Sequence, residues 1–216
     1  MKACAFLLLA SALAIGAGCS DPSKGVASSD PSEVVTSVKE LARAGRDADV
    51  ERISQATTHA DTMVATEAVR CLGSIRREKA VEALSRVATE EKRPPVREAA
   101  VLELGRQTSD PPIRVLEQTV QHDSDSRVRG AAATSLARLR AWDQIPLLMD
   151  VAEKDPDPVV RSRAVGAIET MLGVKFGYEL HGTPEQQHKA LARMRSIAMK
   201  AAATLRDAEA RRNGRG

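Results

Sequence analysis

Three acidic residues each stand six places before an arginine: Glu91 before Arg97, Asp123 before Arg129, and Asp155 before Arg161. A row of unpaired arginines would make an anion-binding strip, because the guanidinium fork matches the oxygens of carboxylates and phosphates. Here every arginine has an acid of its own at constant spacing, so the row reads as structural. Other groups capable of chemistry are sparse. His59, His122, His181 and His188 do not recur at a shared interval and make no set of metal ligands. Cys71 has no disulfide partner, and a lone helical thiol is inert unless its pKa is lowered and it is exposed. No G-x-S-x-G, phosphate-loop or dinucleotide fingerprint occurs. The expectation is a non-enzyme with no metal and no cofactor.

The arginines belong to a repeat. Val96-Arg97, Ala100 and Leu104 return as Val128-Arg129, Ala132 and Leu136, then as Val160-Arg161, Ala164 and Ile168, at steps of 32 residues. One step earlier stand Val64, Ala68 and Leu72, with Ala65 in place of the arginine. The second half of each unit keeps the same beat: Val81, Ile113, Ile145; Leu84, Leu116, Leu148; Ala88, Val120, Ala152. A fixed period of this length is the signature of a solenoid.

Within a unit, apolar residues step by three and four, the spacing of one stripe on a helix. Breaks fall at Gly73, Gly105, Asp110-Pro111-Pro112, Pro94-Pro95, Asp123 to Asp125 and Asp155 to Pro158. Pro suits a helix's first turn and Asp caps exposed amides, so each unit is helix, turn, helix. The fold class is all-α: an α-solenoid of about five helix pairs with a long C-terminal helix. One pair cannot cover its own apolar faces, and stacking neighbours does so.

The acid, the Val-Arg pair and the following Ala and Leu resemble the HEAT family, in particular the short HEAT-like repeats also found in phycobilin lyases. The resemblance implies that the acids and arginines form a ladder between helix ends of adjacent units. It also implies that second helices line the concave face, where Glu82, Ser85, Arg86, Arg114, Glu117, Gln118, Asp143, Gln144 and Asp150 would meet a protein or peptide partner. HEAT-like hydroxylases hold two irons through His-Glu pairs, and here no histidine is followed by Glu. No residue set specifies a bilin pocket.

The ends of the array are irregular. Residues 33–62 read as a degenerate capping pair that buries Val34, Val38, Leu41, Val50 and Ile53, and residues 63–182 as the HEAT-like repeats. Residues 183–213 read as a single helix, opened by Thr183, Pro184 and Gln186 and stopped by Asn213-Gly214. Its seam of Leu191, Met194, Ala198, Ala201, Leu205 and Ala208 either caps the last unit or pairs with a partner helix or a second copy.

At the start, residues 1–18 read as a lipoprotein signal peptide: an apolar run after Lys2 that is too short to span a bilayer, which takes about 20 residues. Ile15-Gly16-Ala17-Gly18-Cys19 resembles the bacterial lipobox, with Gly16 where Leu is usual. The resemblance implies lipidation of Cys19, export, and a membrane-anchored lipoprotein facing the periplasm or cell surface. Ser20 leans toward outer-membrane sorting. Residues 19–32, rich in Ser, Asp and Pro, read as a flexible tether. The net charge of +3 is spread over interspersed signs and aromatics make up 2%, which disfavours nucleic-acid binding. The expected function is a non-catalytic protein–protein scaffold in the cell envelope; a lyase-type or chaperone-type factor and a self-associating structural lipoprotein are the alternatives. In cells that process the signal, mass spectrometry of the membrane fraction should find diacylglyceryl-cysteine at Cys19, and Cys19→Ala should move the protein to the soluble fraction.

Overall fold

A computed structural model describes residues 22–108 and 111–213; the signal segment and Cys19 lie outside the described residues. The helices are α1 (Pro22–Gly25), α2 (Pro31–Ala44), α3 (Asp47–Ala56), α4 (Thr62–Ser74), α5 (Glu78–Glu90), α6 (Pro94–Leu104), α7 (Ile113–His122), α8 (Ser126–Arg138), α9 (Ile145–Lys154), α10 (Pro158–Leu172) and α11 (Pro184–Asn213). A 3-10 turn, Trp142–Gln144, precedes α9, and no strand occurs among the described residues.

The helices form two layers. First helices α2, α4, α6, α8 and α10 stack in sequence, and second helices α3, α5, α7 and α9 stack beside them. Interior first helices such as α6 and α8 meet neighbours on three sides: the first helix before, the first helix after, and the second helix of the preceding unit. Their composition follows from this. In α8, Val128, Ala131, Ala132, Ala133, Leu136 and Ala137 are buried around much of the circumference. Second helices bury one stripe only, as α7 does with Leu116, Thr119 and Val120. The repeated leucines fill the seam: Leu72, Leu104, Leu136 and Ile168 are fully buried, as are Leu84, Leu116 and Leu148. Burying each contributes roughly 1.5–3 kcal/mol.

First helices pack more extensively on one another than second helices do, because small residues let their backbones close. A Cβ on Gly105 would lie 2.5 Å from Ser135 Oγ and 2.9 Å from Ser135 Cα. The contact is polar as well as close: Ser135 Oγ donates to the Val101 carbonyl at 2.9 Å. One unit earlier, buried Gln107 donates to the Gly73 carbonyl at 3.0 Å. The Gln107 bond satisfies a carbonyl that the end of α4 leaves unpaired, while the Val101 carbonyl also accepts from Gly105 N at 3.1 Å.

Within the segment read from sequence as a flexible tether, Pro22–Gly25 form helix α1. Helix α1 packs on α2, and Val26 rests half-buried against the core. Gly25 approaches Ser37 so closely that a Cβ would overlap its hydroxyl, and Asp30 caps α2 by accepting from Ser32 N at 2.8 Å. Polar composition concealed one apolar anchor and a local cap. The core cluster begins at Val34, so a chain starting at Pro22 keeps every described core residue and should fold on its own.

At the other end, Gly173 closes α10 in the left-handed region, φ 67°. Glu169 folds the next residues back, accepting from Phe176 N at 2.8 Å and from Lys175 Nζ at 2.7 Å. Phe176 is thereby buried. Helix α11 opens with the reciprocal Thr183–Gln186 cap. It then lays Ala190, Met194 and Ala198 over α9 and the Trp142 turn, with Arg195 paired to Glu153. Met194 and Ala198 of the predicted seam are thus spent on the stack. Leu205 and Ala208 lie outside the described side chains.

Two glycines should behave oppositely. Gly105→Ala should destabilise by about 1–3 kcal/mol, because the neighbouring backbone must shift. Gly166, inside α10, has nothing within 4 Å of an added Cβ. Gly166→Ala should stabilise by roughly 0.5–1 kcal/mol. Urea unfolding of both variants checks the pair.

Candidate functional site

Two features concentrate polar groups: the arginine ladder at the turns between units, and a groove in the second-helix layer. The ladder is built from the turn outward. Asp123 closes the end of α7 and accepts from Asp125 N at 2.9 Å, while Asp125 caps α8 by accepting from Arg127 N at 2.9 Å. Asp155 repeats the arrangement, accepting from Asp157 N at 2.9 Å. Four residues into each first helix an arginine turns back over this loop.

Each guanidinium divides its donors between two units. Arg97 Nη1 donates to the carbonyls of Glu91 and Lys92 at 2.9 and 3.0 Å, satisfying the C-terminal end of α5. Its Nε and Nη2 grip both oxygens of Asp123 in the following unit, each at 2.8 Å. Arg129 does the same, with the Asp123 carbonyl at 2.9 Å behind it and both Asp155 oxygens at 2.8 and 2.9 Å ahead. The pairs are nearly dry, with Arg97 and Asp123 side chains 10% and 8% exposed. The facing carboxylates push the Arg97 and Arg129 pKa values up.

The acid six residues before each arginine therefore meets it through its backbone carbonyl, and its carboxylate serves the arginine of the preceding unit. Sequence spacing paired Glu91 with Arg97, Asp123 with Arg129 and Asp155 with Arg161; the side-chain pairs are Arg97 with Asp123 and Arg129 with Asp155. A side chain reaching back over its own turn arrives at main chain, while the neighbouring turn presents its carboxylate to the open end of the fork.

The first rung differs. Ala65 leaves Glu91 without an upstream arginine, and Arg93 takes its place. Arg93 Nε and Nη2 hold Glu91 at 3.0 and 2.9 Å, and its Nη1 and Nη2 reach back to the His59 and Thr57 carbonyls at 2.7 and 3.1 Å. The Arg93 guanidinium draws the Glu91 carboxyl pKa down to about 2. The signal for Arg93 was present in the sequence: it occupies the column filled by Asp61, Asp125 and Asp157, where a basic residue breaks the pattern. At the last rung, Arg161 Nη1 holds the Asp155 carbonyl at 2.8 Å, and no carboxylate among the described residues meets the rest of its fork.

The groove, about 870 Å³, lies between α3 and α5 beside the rebuilt rung. Ala83 and Val87 form its floor, and Glu51, Gln55, Arg86, Glu90 and Lys92 its rim. Of the face read from sequence, Arg86 lines this groove. Glu82, Arg114, Gln118 and Asp150 are exposed along the second-helix layer, and Ser85 and Glu117 are partly covered. Asp143 and Gln144 sit in the 3-10 turn before α9 and not on a second helix, because left-handed Arg140 (φ 54°) redirects the chain there. A second groove of similar volume lies between α4 and α6 in the first-helix layer, with Met63 at its rim. Cys71 is buried, and burial pushes its thiol up to about 11, which leaves it protonated and unreactive. Among the described residues, no group of three or more His, Cys, Asp or Glu is placed to hold a metal ion. The groove thus sets charges of both signs and the Gln55 amide over a small apolar floor.

The ladder's asymmetry is measurable. Arg129→Ala strips a buried carboxylate of its partner and should cost about 3–5 kcal/mol. Arg161→Ala removes an arginine with no carboxylate on its fork and should cost about 1 kcal/mol, the value of its carbonyl bonds. Chemical denaturation of the two variants gives the comparison, and equal losses would show that the carboxylate contact is not the stabilising part.

Comparisons with known proteins bear on the architecture. The family model for HEAT repeats matches residues 24–105 and 88–169. No curated protein matches the chain. Among solved structures, the complex of CpcE and CpcF of phycocyanin lyase from Nostoc sp. PCC7120 is similar at a TM-score of 0.53 and 20% identity, over 68% of this chain and 95% of that one. An engineered protein aligns at a TM-score of 0.48 and 18% identity, over 84% and 96% of the two chains. A designed armadillo repeat protein aligns at 0.45 and 16%, over 84% and 95%. With both helical layers, the 32-residue beat and the family match spanning most of its length, this chain belongs to the HEAT-repeat family.

Proposed function

We propose that the chain is a non-catalytic scaffold of the bacterial cell envelope, exported, held to the membrane through acylated Cys19, and binding a protein or peptide partner in the α3–α5 groove. The observation that carries this reading is the groove's construction: an apolar floor of Ala83 and Val87 under a rim that carries both charge signs and an amide. Such a rim gives orientation and partner choice through complementary charges, and the floor supplies the desolvated centre on which binding energy concentrates. The rebuilt Arg93 rung stiffens one wall, so a partner meets a surface that is already formed. Helix α1 begins three residues after Cys19, so the anchor would hold the N-terminal end of the stack close to the bilayer, with little spacer between.

A photoreactive amino acid at Gln55 or Arg86 should crosslink a discrete partner in the native cell. The same group at Lys154, exposed on α9, should not. Equal labelling at both places would overturn the groove as the binding site. A lyase-type role remains the reading that the fold likeness motivates. It requires the purified protein to take up visible absorbance from a free bilin, whereas a scaffold stays colourless.

A further inference from the structure

Charge is divided unevenly along this chain. Residues 183–216 hold eight Lys and Arg against three Asp and Glu, while the rest of the sequence holds 24 against 26. The excess sits on α11, whose opposite sides do different work. Ala190, Met194 and Ala198 face α9 and the Trp142 turn. Lys189, Arg193 and Lys200, spaced by four and seven residues, share the other side with Ser196, and all four are exposed. Arg195, one row away, is paired with Glu153; none of the three stripe cations forms an ion pair with a described residue. Over these residues the stripe runs about 16 Å, at 1.5 Å per residue. Beside it Met199 is 48% exposed, an apolar side chain on a helix otherwise solvated on that side.

We propose that this face of α11 docks on an anionic lipid bilayer. Unpaired cations at helical spacing, with an exposed methionine beside them, match the boundary between headgroups and acyl chains, where cations take the phosphates and the thioether enters the apolar edge. A polynucleotide satisfies the cations but leaves Met199 in water, and no aromatic among the described residues is exposed for stacking bases. The site is independent of acylation at Cys19, because α11 caps the end of the stack opposite to α1. It goes beyond partner binding in the α3–α5 groove and uses none of that groove's residues.

The test uses the chain from Pro22 onward, which retains the described core and has no acyl group. It should co-sediment with vesicles of phosphatidylglycerol and phosphatidylethanolamine at 0.1 M salt and not with phosphatidylcholine vesicles. The triple substitution Lys189→Gln, Arg193→Gln, Lys200→Gln should lower partitioning at least tenfold, and Met199→Ser should weaken it several-fold at unchanged charge. Circular dichroism should show unchanged helicity in both variants, since all four side chains are exposed. Equal binding to neutral vesicles, full retention by the triple variant, or binding to a DNA oligonucleotide with none to anionic vesicles would each overturn the proposal. Retained vesicle binding in a Cys19→Ala protein leaves it standing, and separates it from failure of the acylation reading.

Discussion

Every unit of this protein depends on its neighbours to stay dry. A helix pair with a stripe on each member has more apolar surface than it can turn inward, so stability comes from units placed at a fixed offset. Hydrophobic contact alone specifies that offset poorly, because alanines and leucines in successive helices resemble one another closely enough to tolerate slippage. The Arg97–Asp123 and Arg129–Asp155 pairs remove the ambiguity: a two-point fork accepts a carboxylate in one geometry only. Their net contribution to stability is modest once desolvation is counted, and breaking one is far more costly than its presence is favourable. They act as register pins in a stack whose cohesion is apolar.

The same logic explains where the pins are. Helix C-termini leave carbonyls unpaired, and a cation there also answers the helix dipole. An arginine placed early in the next helix can meet those carbonyls with one nitrogen and still extend a fork forward. A lysine cannot, having a single charged point and no planar fork. The Val-Arg column therefore reflects two demands, apolar burial at the valine and three-way bonding at the arginine.

Much of this was legible in the sequence. The 32-residue beat placed the helix pairs and the buried columns, and Asp columns marked the turns. What periodicity could not convey was direction. An acid six residues before an arginine looks like its partner, yet the turn points the acid's carbonyl at its own arginine and its carboxylate at the previous one. That distinction is set by the path of the main chain through Asp123-Ser124-Asp125, which side-chain identity does not record. Helix α1 was missed because one half-buried valine in a polar stretch is a weak signal. The α3–α5 groove was missed because it arises from spacing between layers, and two of the nine residues assigned to a binding face fell on a 3-10 turn that no repeat column announces.

The places where the repeat fails are the places with individual chemistry. Loss of the arginine at Ala65 would have left the first junction without a pin. Arg93 restores it by a different route, holding Glu91 beside it and the Thr57 and His59 carbonyls behind. This substitution turns a repeating N-cap column into a wall of the groove, so the same residue that repairs the stack also shapes the surface. At the far end no further first helix follows among the described residues; Glu169 pulls Phe176 over α10, and α11 stands in the place of a second helix. A solenoid interior is constrained by two neighbours and has little freedom to vary. Its first helix pair and its last helix each lack a neighbour on one side among the described residues, and there the chain carries its groove and its basic face.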